Sequence, residues 1–304
     1  LPTKPFREAA GAGPRVVLAM VAVAAFLPSL PGWSIAASYA RVPRVETETI
    51  ARLHETAPGA PPLLGAAAVA AAPDGTLFVG DWTHRHVLAV RPPAAGRWLP
   101  PVGRFVPRVD GRGRLLLLDV DSGRLHRFTP AGALEDSILV APPGSGPQLA
   151  VAPDGSALVA ARGVLRRYEP ERLELDVTWG PPPHAVPAPG ATGLAASAAR
   201  VWVATSDGSL LVLSAEGRLL RREPLLGNAG ALAVASGSRL VLADRPTGRL
   251  FLLDADGRTA SRLVSAFGRA PARAPADLAF TPGGTLAVAD GDSLSLHRVA
   301  GAGL

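Results

Sequence analysis

Short apolar runs and polar turns alternate along most of the chain, and residues 274–299, APADLAFTPGGTLAVADGDSLSLHRV, show the unit most clearly. Asp277-Leu278-Ala279-Phe280 alternates large and small, as an extended strand does. Pro282-Gly283-Gly284 is a turn, because proline presets φ and glycine accepts φ > 0. Leu286-Ala287-Val288-Ala289 is almost wholly apolar, as expected of a strand covered on both faces. Asp290-Gly291-Asp292 turns again, and residues 294–299 alternate as a third strand.

Five weaker copies precede it, at residues 69–90, 106–128, 149–168, 194–213 and 232–253. Their first turns centre near 74, 112, 154, 199 and 237, and that of the last copy near 283. Short strands recurring every ~40 residues are a signature of propeller blades of four strands each. The pattern predicts an all-β fold, a six-bladed β-propeller. Residues 96–102, 133–140, 173–179, 218–224 and 258–267 are its expected outer strands. The sixth copy has no such strand behind it. Arg44–Leu53, RVETETIARL, therefore supplies it from the other end of the chain and closes the ring, which removes an exposed sheet edge.

Residues 1–40 differ in kind. A polar, basic stretch leads into VVLAMVAVAAFL at 16–27, and no charge occurs from Val16 to Ala40. Small residues at Ser38 and Ala40 suit a cleavage site, so the segment predicts a signal peptide. A membrane anchor is the alternative, although Pro28 and Pro31 would interrupt its helix early. On either reading an N-terminal hydrophobic helix precedes the propeller, residues 41–304 form one domain, and that domain lies outside the cytoplasm: secreted, periplasmic or membrane-anchored.

Composition adds exclusions. Cysteine is absent, so disulfides, thiolate metal sites and a cysteine nucleophile are excluded. The net charge is +6, yet of 31 basic residues only Lys4 is a lysine. That bias, with abundant alanine, glycine and proline, fits a GC-rich genome better than a basic partner. No dense basic run with interleaved aromatics occurs, so no nucleic-acid partner is expected.

Four second strands end in aspartate: Asp81, Asp119, Asp244 and Asp290. Turn capping is the expected role. His84 and His86 have the spacing of a ligand pair, but they fall at the start of a third strand, away from the axis. His184 lies in the proline-rich segment 180–190, a rim loop of the kind that carries binding groups. Arg104 precedes the second copy and Gln148 opens the third, which places both at the channel mouth. There is no G-x-S-x-G, no H-E-x-x-H and no phosphate-binding loop.

The last copy, with its FG lead-in, Pro-x-Asp-Leu-Ala-Phe opening and Val-Ala-Asp exit, resembles the NHL repeat. The first copy, APDGTLFVGD, is similar to a blade of the gluconolactonase-type and strictosidine-synthase-like propellers. The resemblance implies a divalent cation, calcium, held in the channel by Glu, Asn and Asp at the inner strands. Here those positions carry Gly65 or Ala66, Gly230 and Ala276. Asn228 and Asp277 lie one or two residues away and are the weak metal candidates; with Arg104 and Gln148 they complete the channel-mouth set. The expectation is thus a binding scaffold without a cofactor, taking a protein or carbohydrate ligand at its rim loops and channel mouth. Membrane contact is expected only through residues 16–40. The alternative is a metal-dependent lactonase-type hydrolase or lyase with its site in the channel.

Overall fold

The computed structural model describes residues 42–53, 62–91, 97–99, 103–225, 229–235, 239–265 and 274–299. The hydrophobic helix expected within residues 1–40, and Asn228, lie outside the described residues. No helix among the described residues is long and apolar enough to cross a membrane.

Strand β1 (Arg44–Leu53) precedes the repeats. The first sheet is β2 (Ala66–Ala71), β3 (Leu77–Asp81), β4 (His86–Val90) and β5 (Arg97–Leu99). The second is β6 (Phe105–Val109), β7 (Leu115–Asp119), β8 (Arg124–Phe128) and β9 (Leu134–Leu139). The third is β10 (Gln148–Val151), β11 (Ala157–Ala161), β12 (Val164–Tyr168) and β13 (Val186–Pro187). The fourth is β14 (Ala191–Ala196), β15 (Arg200–Thr205), β16 (Ser209–Ser214) and β17 (Leu219–Pro224). Then come β18 (Ala229–Val234), β19 (Leu240–Asp244), β20 (Arg249–Leu253) and β21 (Thr259–Ser265), followed by β22 (Asp277–Phe280), β23 (Leu286–Ala289) and β24 (Leu294–Val299).

The opening strands of the six copies touch in a closed cycle: β2 meets β6, β6 meets β10, and so on through β14, β18 and β22 back to β2. Around that cycle the sheets radiate as antiparallel meanders, the architecture of a β-propeller. Six separate blades, however, are not what the hydrogen bonding shows. Four sheets stand alone, and the fifth and sixth copies share one eight-stranded sheet, ordered β18-β19-β20-β21-β1-β24-β23-β22.

Strand β1 is the reason. It pairs antiparallel with β24, as the missing outer strand requires, with Thr49 opposite His297 and Leu53 opposite Leu294. Its other edge would then be bare, and it pairs parallel with β21, Arg44 opposite Arg262 and Val45 opposite Leu263. The buried Thr47 hydroxyl donates to the Val264 carbonyl at 3.0 Å and fastens that second seam. One strand therefore covers two edges.

A second expectation fails at the third blade. Residues 173–179 do not form its outer strand; β13 does, pairing Val164 with Pro187 and Leu165 with Val186. Leu175 keeps only an isolated bridge to Tyr168. The stretch is diverted because Trp179 turns inward. Its side chain is buried, and the indole N–H donates to the Ala215 carbonyl of the next blade at 2.7 Å. Trp202 does the same one blade on, to Ala255 at 3.2 Å, and Trp82 two blades earlier, to Phe105 at 3.0 Å.

The second strands explain the core. Leu115–Leu118 and Leu240–Ala243 are buried throughout because each sheet is covered on both faces by its neighbours. Apolar clusters accordingly bridge successive modules. One joins Val69, Leu77 and Leu88 of the first to Ala287, Leu294 and Leu296 of the last.

Candidate functional site at the channel mouth

The first turns fix which residues are equivalent. In each copy an N–H donates to a carbonyl across the turn: Ala72 to Thr76, Asp110 to Arg114, Ala152 to Ser156, Ser197 to Arg200, Ala235 to Arg239 and Thr281 to Thr285. Counting back four residues from each donor gives Ala68, Val106, Gln148, Gly193, Ala231 and Asp277. All six line one cavity of about 200 Å³ at the axis. Strand side chains repeat with period two, so residues two behind the donors belong to the same face. That tier is Ala70, Arg108, Ala150, Ala195, Ala233 and Ala279.

Five alanines and one arginine make an asymmetric ring. The alanines leave axial space, and Arg108 fills it. Its Nε donates to the Leu149 carbonyl at 3.0 Å, and its Nη1 to the Val69 and Pro107 carbonyls at 3.2 and 2.8 Å. Nη1 and Nη2 also grip the Asp277 carboxylate at 2.7 and 3.2 Å. That carboxylate accepts in addition from the Val69 N–H at 2.9 Å. The pair is enclosed, with side-chain exposures of 18% for Arg108 and 8% for Asp277. A single guanidinium thus bridges the inner strands β2, β6, β10 and β22.

Arg104 directly precedes β6. It lines the cavity, its Nε donates to both oxygens of Asp121 at 2.9 and 3.1 Å, and its guanidinium lies 5.7 Å over the Trp82 ring. The hydrogen bond that Arg104 donates to Asp121 raises the Arg104 pKa and lowers that of Asp121. Arg85 also approaches Asp121, at 3.4 Å. Gln148 opens β10 and lines the cavity, half-buried. Asn228 lies outside the described residues. His184 is not brought to the axis. It sits at φ 63° in the loop before β13, the outer strand of its blade, and its N–H donates to the Pro181 carbonyl.

The aspartates at strand ends are caps. Asp81 accepts the N–H groups of Leu64, Thr83 and His84 at 3.1, 3.0 and 2.9 Å. Burial pushes the Asp81 carboxyl up, but the bonds from His84 and Leu64 outweigh it and hold the group below its ordinary value. Asp119 accepts from the Asp121 N–H and the Ser122 hydroxyl, Asp290 from the Ala274 N–H, and Asp244 from the Thr247 hydroxyl. His84 turns its Nδ1 to Asp81 at 2.9 Å, so this histidine belongs to the cap as well.

Two charged cavity residues escaped the sequence reading, Arg108 and Arg245. Arg245 follows β19, is exposed, and donates from Nη2 to the Ala276 carbonyl at 3.0 Å. Its stem lies in the space over Gly230, where a Cβ would collide with Arg245 Cγ and Cδ. The position of Gly230, at which the resemblance expects a metal-ligand asparagine, is thus given over to an arginine from the next strand.

A divalent-cation site fits these residues poorly. Hard cations need several converging oxygen ligands. Among the described residues no group of three or more Asp, Glu or His could hold a metal ion. The acidic group in the channel, Asp277, already has a guanidinium as counter-ion.

No family model matches the sequence, and no curated protein matches it. Solved structures do. A gluconolactonase from Xanthomonas campestris is similar at a TM-score of 0.64 and 18% identity, over 87% of this chain and 92% of that one. The fold is a β-propeller. A streptogramin B lyase aligns at a TM-score of 0.60 and 10% identity, over 84% of this chain and 98% of its own. Virginiamycin B lyase from Staphylococcus aureus, solved with quinupristin, aligns at 0.56 and 14%, over 76% of this chain and 79% of its own. At these identities the propeller is a shared scaffold, and the chemistry of its channel must be argued from its own side chains.

Proposed function

We propose that this propeller is a binding module whose ligand sits at the channel mouth and the surrounding rim loops, and that its channel works without a metal. The reading counts six repeat modules, the last two fused through β1, and places them outside the cytoplasm behind the leader or anchor expected in residues 1–40. One observation carries it: Arg108 stands on the axis and holds Asp277. A fixed cation there repels a second one and uses the carboxylate that a metal would need. The lactonase-type or lyase-type alternative rests on likeness of fold alone.

Thermal unfolding with calcium, manganese or zinc tests the reading. An ion that binds only the folded state raises the midpoint by mass action. The expected result is no rise with any of the three. A rise of several degrees that disappears in Asp277→Ala would favour the enzyme.

A further inference from the structure

The cavity above the Arg108–Asp277 pair is lined by three arginines and one aspartate. Two of the arginines are balanced: Arg108 by Asp277, and Arg104 by Asp121 beside the cavity. Arg245 has no carboxylate partner among the described residues. It spends one N–H on the Ala276 carbonyl, which anchors it, and a guanidinium has five to give. Gly230 gives its stem a bed, so the side chain is fixed at both ends of its length before any ligand arrives. The cavity thus carries one unbalanced positive charge on a pre-positioned fork, with the Gln148 amide also on its wall.

We infer that the channel mouth binds a small organic carboxylate, with Arg245 as the residue that grips it. A planar guanidinium takes a carboxylate through two parallel hydrogen bonds, and such pairs are about twice as strong as neutral ones. Size sets the rest of the ligand. At ~30 Å³ per water molecule, a cavity of about 200 Å³ holds roughly seven waters. That suits an acid of roughly six to eight non-hydrogen atoms, with a hydroxyl or carbonyl group for Gln148. The inference rests on the metal-free reading of the channel and names what the mouth takes in its place.

Isothermal titration calorimetry with lactate, pyruvate and glycerate, at ionic strength held constant with chloride, provides the test. The expected result is saturable binding of at least one acid to the wild type. Affinity should fall about tenfold or more in Arg245→Ala, as loss of a charge-assisted bond requires, and only in part in Arg245→Lys. Arg222→Ala, on the outer strand β17, should bind as the wild type does. Arg245 is exposed, so its alanine variant should melt where the wild type melts, and that check excludes misfolding. No saturable binding of any of the three acids, or equal affinity in Arg245→Ala, would overturn the assignment. Parallel calcium melts separate the two ideas. If calcium and the acids are both silent, the carboxylate site alone falls. If calcium raises the midpoint, the metal-free channel falls and the assignment falls with it.

Discussion

Replacing Arg108 with alanine should lower the stability of the propeller by about 3–5 kcal/mol, the cost of stranding one partner of a buried ion pair. The variant leaves the Asp277 carboxylate enclosed with only the Val69 N–H as a donor. It also removes the donor from the carbonyls of Leu149, Val69 and Pro107. Four inner strands lose a shared hydrogen-bonding centre at once. Urea unfolding monitored by tryptophan fluorescence measures the effect. Arg108→Met combined with Asp277→Leu should recover most of the loss, because apolar side chains of similar volume leave no charge unpaired. If Arg108→Ala costs less than about 1 kcal/mol, the range of a surface pair, the pair is not the centre described above.

The second large effect concerns the seam between β1 and β24. His297 is fully buried there, with Nδ1 3.2 Å from the Thr49 hydroxyl and Nε2 2.8 Å from the Ser295 hydroxyl. Burial pushes its pKa down to about 4; the nearby Arg52 adds to the shift and Asp290 opposes it. In the unfolded chain a histidine titrates near 6.5. Between those values the unfolded state binds the proton and the folded state does not, so stability drains away as pH falls from about 6.5 to about 4. It is fully present above that window and constant below it. A difference of about 2.5 pKa units corresponds to about 3 kcal/mol. Chemical unfolding at about pH 7 and about pH 4.5 should show most of this loss, superposed on that of the carboxylates. His297→Leu removes the titrating group, so its curve should be flatter by that amount. An identical pH slope in the variant would show that His297 contributes nothing. Hydrogen exchange should place the first acid opening at β1 and β24.

Much of the scaffold was legible because its signals are local. Pro-Asp-Gly and Pro-Gly-Gly turns fix hairpins, and all-apolar second strands announce burial on both faces. Arg44–Leu53 could be matched to the sixth copy because that copy lacked an outer strand. The parallel pairing of β1 with β21 was not legible, since nothing in either strand marks which neighbour covers an edge. The diversion of residues 173–179 was hidden in Trp179, whose indole finds its acceptor on another blade. Arg104, Gln148 and Asp277, singled out by their position in the repeat, all line the axial cavity. Arg108 was missed although a signal existed. Once the copies are aligned on their turn hydrogen bonds, the other five carry alanine at its position: Ala70, Ala150, Ala195, Ala233 and Ala279. An arginine in a column of alanines is the mark of a side chain with a task. Arg245 carried no such signal, because its place over Gly230 depends on contact between neighbouring strands.

The chemistry of the axis is decided most directly by long-wavelength diffraction from a crystal soaked in calcium. The account predicts the Arg108 guanidinium joined to Asp277 and no anomalous calcium peak at that carboxylate. A calcium ion bound to Asp277, with Arg108 swung away, would contradict it.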